Sequence, residues 1–161
     1  YQRGKQWQSF NKENSELMSN VICYFLIDKE NNLWSGTHLG GAALYSESSN
    51  WFDCPSVANG KLTNDLVQAV YADKDNIYIG TDGGGLIIYN KKTKQSRAMT
   101  KQSSGLPDNY VLSLLKDGNN LWMSIYGYGL CKLSLKDNSI KIIDQLGNGL
   151  STNHILQINL S

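Results

Sequence analysis

The 161-residue chain carries 15 basic and 14 acidic side chains, a formal net charge of +1, and 40% hydrophobic residues. That balance excludes the basic footprint of a general nucleic-acid binder and the composition of a disordered chain, and no apolar run reaches the ~18–20 residues of a membrane span. The three cysteines, Cys23, Cys54 and Cys131, are widely spaced, match no zinc pattern and are expected to be free thiols.

In chain order, the first elements already repeat. Residues 1–16, with Trp7 lying 44 residues before Trp51, read as the end of a preceding unit. "LMSNVICYFLID" then starts at Leu17, "LTNDLVQAVYAD" at Leu62, "LPDNYVLSLLKD" at Leu106 and "LSTNHILQINLS" at Leu150, at spacings of 45, 44 and 44. Each unit predicts four short strands. The first is the apolar run ending at Asp28, Asp73 or Asp117, with inner strands expected near 21–27, 66–72, 110–116 and 154–160. The aspartate starts a polar hairpin turn and is expected to cap it, a better use than calcium binding, for which the ligand ring is absent. The second strand holds Trp34, Tyr78 or Trp122, placed to pack between units. A glycine-rich turn leads to a third strand such as "GLIIYN", and "WFDCPS", "QSRAMT" and "SIKIID" supply weaker fourth strands. Pro55 and the cluster Lys92, Lys94, Arg97 and Lys101 put the fourth strand at the outer edge, with the first strand innermost.

The predicted fold is therefore all-β: β-propeller blades of four antiparallel strands, about three to three-and-a-half of them. The units are 17–61, 62–105 and 106–149, followed by an inner strand in 150–161. Val21 or Ile22, Phe25, Val67, Val70, Val111, Leu114, Ile155 and Ile158 are the expected core. Three units do not close a ring, and there is no initiating Met, so the chain is expected to be a piece of a larger, seven-bladed propeller. Two copies together hold about seven repeat periods, so a homodimer that approximates a ring is a second expectation.

"DGNNLWMSIYGYGL" (117–130), "DKDNIYIGTDGGGL" (73–86) and, more loosely, "NNLWSGTHLGGAAL" (31–44) resemble the two-component regulator propeller repeat. The likeness recurs in register three times over nearly the whole chain. The third unit departs at Ser124-Ile125, where the repeat has Gly-Thr. The resemblance implies a periplasmic sensor region of a bacterial hybrid two-component histidine kinase, of a kind typical of glycan-degrading gut Bacteroidetes. It implies a dimeric assembly, often responsive to oligosaccharides, with phosphotransfer carried out elsewhere in the parent.

The triple glycine Gly83–Gly85 lacks the Lys-Ser/Thr or following helix of a phosphate loop and reads as turn geometry. Residues that recur serve the frame, and those that vary within its loops are free to bind. The turns between second and third strands and the links between units share one face. On it stand His38, Asp82, Tyr126 and Tyr128 from the turns, and Asp65, Asn109, Tyr110, Asn153 and His154 from the links. That mixture of flat rings and hydrogen-bonding groups suits an oligosaccharide or another polar ligand. No cofactor or metal site and no catalytic constellation is predicted. A protein-interaction module and, third, a propeller enzyme such as a lyase are the alternative functions.

Overall fold

The computed structural model describes residues 7–46, 51–53, 55–147 and 149–159. Among them the chain forms three four-stranded antiparallel sheets, each a simple meander in the order first to fourth strand. The first sheet is β1 (Ile22–Ile27), β2 (Leu33–Thr37), β3 (Ala42–Ser46) and β4 (Trp51–Asp53). The second is β5 (Val67–Ala72), β6 (Asn76–Thr81), β7 (Leu86–Asn90) and β8 (Ser96–Met99). The third is β9 (Val111–Asp117), β10 (Asn120–Ile125), β11 (Gly129–Ser134) and β12 (Ile140–Ile143). These are sheets of the kind that make propeller blades. A single helical turn, α1 (Lys101–Ser104), capped by Thr100 and Ser103, joins the second sheet to the third.

The sheets stack through their inner strands, β1 against β5 and β5 against β9. Glycines set this approach. A Cβ on Gly36 would lie 2.6 Å from Val67 Cγ1, and one on Gly80 would lie 2.8 Å from Val111 Cγ1. The second sheet is covered on both faces, and β6 is buried almost without a break. Trp34 meets Tyr89 of the second sheet edge-on, with ring centroids 6.4 Å apart, and Tyr78 is buried toward the third. Trp122, with no described sheet beyond it, is half-exposed.

The turn aspartates add a clamp. Asp28 accepts the Glu30 and Asn32 amide N–H groups, capping its own hairpin. Its Oδ2 also accepts the Trp34 indole N–H at 3.0 Å and Lys91 Nζ, from the second sheet, at 2.9 Å. Asp73 caps its turn through the Asp75 and Asn76 amides, and its Oδ2 accepts the Tyr78 hydroxyl at 3.0 Å and Lys116 Nζ, from the third sheet, at 2.6 Å. Burial alone would raise the Asp28 pKa. The bonds from Lys91, the Asn32 amide, Trp34 and the Asn32 side chain outweigh it and hold the carboxyl at about 2. Burial of Asp73 is likewise outweighed by Lys116 and the turn amides, and its pKa is lowered.

Val67, Val70, Val111 and Leu114 are buried as expected. Val21, Ile22 and Phe25 are not: Phe25 is 69% exposed, because none of the described sheets covers the outer flank of β1. Residues 154–159 pair with no described strand, and Ile155 and Ile158 are half-buried. Both fourth-strand edges that the sequence marks are sheet edges, but Pro55 lies beyond the end of β4. Cys23 and Cys131 are free, the latter's thiol pushed up to about 12 by burial; Cys54 lies outside the described residues.

Two outcomes follow for stability. Gly36→Ala forces a methyl group onto Val67 and is expected to cost about 1–3 kcal/mol in chemical denaturation. Lys91→Met strands the Asp28 carboxylate, whose side chain is 1% exposed, at a cost of about 3 kcal/mol. Because the folded-state pKa of Asp28 is depressed from 3.8 to about 2, its contribution, about 2 kcal/mol, is full above pH ~4 and is lost as pH falls toward ~2. Asp28→Asn should therefore flatten acid denaturation across that window.

Candidate functional site

At one end of the stacked sheets, the links entering the first strands meet the turns joining second to third strands. The same bonds recur in each unit. His38, Asp82 and Tyr126 donate their backbone N–H to the carbonyls of Val21, Leu66 and Tyr110, at 3.0, 2.9 and 3.1 Å. Gly41, Gly85 and Gly129 donate to the carbonyls of Asp65, Asn109 and Asn153 at 3.0, 2.9 and 3.2 Å, tying each turn to the following link. All three glycines have positive φ, 71°, 82° and 81°, with a backbone carbonyl where a Cβ would go: that of Pro55, just after β4, or of Met99 or Ile143, the last residues of β8 and β12. The triple glycine is thus one instance of a repeated turn.

The link side chains make a second repeat. Asn20, Asp65, Asn109 and Asn153 each accept, on Oδ1, a backbone N–H from eight residues earlier: Lys12, Val57, Lys101 and Gln145, at 2.7–2.8 Å. Asp65, Asn109 and Asn153 are therefore engaged in the frame through both backbone and side chain. Asn109 Nδ2 also reaches Gln102.

The remaining candidates form a row. Tyr110 is 45% exposed and Tyr126 58% exposed, with ring centroids 6.4 Å apart. Tyr126 in turn meets the exposed His154 ring at 6.0 Å, edge to face. Asp82 pairs with Tyr110 through an isolated β-bridge and stands at the row's other end. Tyr128, on the same turn as Tyr126, lies under Lys101 Nζ at 5.8 Å from the ring centre, and Lys101 also pairs with Asp108 at 3.6 Å. His38 is exposed in the equivalent turn of the first unit, and the row of rings does not extend to it.

Gln68 belongs to this group and was not singled out from the sequence. Its Nε2 donates to Asp82 Oδ2 at 3.2 Å. It sits at a register shift in β5 between Val67 and Ala69, and the same shift recurs between Ile22 and Tyr24 and between Val111 and Ser113. A β-bulge re-aims a side chain, and here it turns Gln68 toward the site.

The arrangement offers flat, exposed faces with polar tips, flanked by a carboxylate, a carboxamide and an ammonium group. Among the described residues, no group of three or more His, Cys, Asp or Glu side chains is placed to hold a metal ion. None of their helices is long and apolar enough to cross a membrane.

No protein-family model and no curated protein sequence matches the chain. Solved structures do. The extracellular domain of the putative hybrid two component system BT4673 from B. thetaiotaomicron aligns with a TM-score of 0.67 at 21% identity, over 79% of this chain and 19% of that one. The extracellular domain of the putative hybrid two component system BT3049, from the same organism, aligns at 0.54 and 22% identity, over 95% and 26%. The computationally designed Ika4 protein aligns at 0.56 and 12%, over 75% and 70%. The chain shares its fold with a stretch of these extracellular domains. It spans about a fifth to a quarter of the length of the two bacterial ones.

Frame and candidate site should separate in denaturation experiments. Asn109→Ala removes a repeated bracket and is expected to cost about 1–2 kcal/mol. Tyr126→Ala removes an exposed ring and should stay within about 0.5 kcal/mol of the parent.

Proposed function

We propose that this chain is a non-enzymatic sensing segment of the extracytoplasmic part of a bacterial two-component sensor, working in the periplasm. In this proposal a polar ligand, an oligosaccharide above all, lies along Tyr110, Tyr126 and His154. The observation that carries it is the row itself: three rings in successive contact, exposed to solvent, on a backbone fixed by bonds that recur in every unit. Aromatic side chains left exposed on a rigid frame suit the apolar faces of sugar rings. Asp82 and Gln68 supply acceptor and donor groups for hydroxyls at one end. The shared fold with extracellular domains of hybrid two-component systems supports the setting. Phosphotransfer would belong to other parts of the parent, a sensor histidine kinase.

The uncovered flanks bear on partners. The outer flank of the first sheet carries an apolar groove of about 410 Å³ lined by Phe10, Leu17, Ile22, Phe25, Leu33 and Tyr45. We take further repeats of the parent, rather than a second copy of this chain, as its cover. In ring register a second copy would bring the equivalents of Lys91 and Lys116 to Asp117, and the repeat alignment places Glu47 and Ile27 there. Neither offers a cation to that carboxylate.

Calorimetry with an oligosaccharide panel on the complete extracellular domain tests the proposal. Binding is expected, and Tyr126→Ala should weaken it about three- to tenfold, the scale of one aromatic contact. No binding across the panel, or binding indifferent to both Tyr126→Ala and His154→Ala, would remove it.

A further inference from the structure

The two junctions between sheets are built alike, and the one after the third sheet is built differently. In the first two, a glycine on the second strand, Gly36 or Gly80, receives a valine of the next inner strand, Val67 or Val111. The third unit has Ser124 at this position, and the following segment brings Ile155 in place of valine. Both changes add volume where the earlier contacts leave none. Ser124 is fully buried, and among the described residues its Oγ has no hydrogen-bond partner. Directly across from it in the sheet stands Ser113, where the second sheet pairs Ala69 with Gly80.

The following segment lies against this surface. Asn153 keeps the repeated bracket, accepting Gln145 N–H on its side chain and Gly129 N–H on its carbonyl. Beyond it, Ile158 N–H donates to Ser113 Oγ at 3.1 Å, a bond for which Ala69, at the matching place in the second sheet, has no hydroxyl. Asp117 is exposed, and no lysine of the described residues reaches it.

We propose that the junction after the third sheet is a polar seam, one that opens while the two glycine–valine junctions stay closed. A buried hydroxyl with no partner costs free energy in the closed state and regains hydration when the seam parts. The seam also divides the row of rings: Tyr126 stands before it and His154 beyond it. A ligand resting on both rings would hold the seam shut, which gives binding a conformational consequence; this coupling rests on the binding proposed above, whereas the seam does not.

Hydrogen exchange on the full-length protein without ligand tests the seam apart from any binding. Amides 155–159 are expected to exchange at least tenfold faster than those of Val111–Lys116, although both stretches begin an inner strand in the repeat. Ser124→Gly, which removes the buried hydroxyl and restores the space, should slow exchange at 155–159 at least threefold and leave β5 unchanged. Protection at 155–159 within tenfold of β9 in the parent, or no slowing in Ser124→Gly, overturns the proposal.

Discussion

Sheets can fan around an axis only if their inner ends come closer together than their outer ends. In this chain that constraint falls on two contacts, Gly36 against Val67 and Gly80 against Val111. The missing side chain lets the next sheet's inner strand approach the second strand, while Trp34 and Tyr78, two residues earlier on the same strands, are buried beside it. The burial of both faces of the second sheet and the gathering of turns and links at one end depend on that wedge.

A wedge alone leaves the sheets free to slide, and polar groups fix the register. Asp28 and Asp73 each hold their own hairpin, the aromatic donor behind it and a lysine of the next sheet. The two lysines come from different places. Lys91 follows the third strand of its sheet, and Lys116 lies in the first strand of its own. The carboxylate is thus the constant feature, and its cation arrives by whichever route the next sheet offers. Glycine N–H groups tie each turn to the next link and hold the ring-bearing backbone in place.

Much of this was legible because repetition separates frame from variation. The strands, their order within a sheet and the aspartate caps follow from aligned residues. The lysine clamps do not, since Lys91 and Lys116 occupy non-equivalent positions and no alignment would match them. Phe25 departs from the expected core for a related reason: the pattern says which face is apolar, and only the neighbour decides whether that face is covered. At the site, variable positions led to Tyr110, Tyr126 and His154, which the fold brings into contact. They also led to Asp65, Asn109 and Asn153, whose side-chain oxygens bind backbone. Their polar type recurs from Asn20 onward, and that recurrence was the available sign of a structural role. Gln68 left no such sign, because a bulge shifts register without changing composition.

The bracket at Asn20, Asp65, Asn109 and Asn153 has a consequence for where this architecture can be divided. The brackets at Asp65 and Asn109 each close a nine-residue loop that begins after one sheet and ends at the threshold of the next. The natural module is therefore offset from the sheet. A duplication, fusion or truncation that cuts at a sheet boundary severs a bracket, whereas one that cuts within a hairpin on the opposite end, near Lys74 or Gly118, leaves every bracket whole. Insertions at those hairpins would lengthen the repeat without disturbing how one unit is handed to the next.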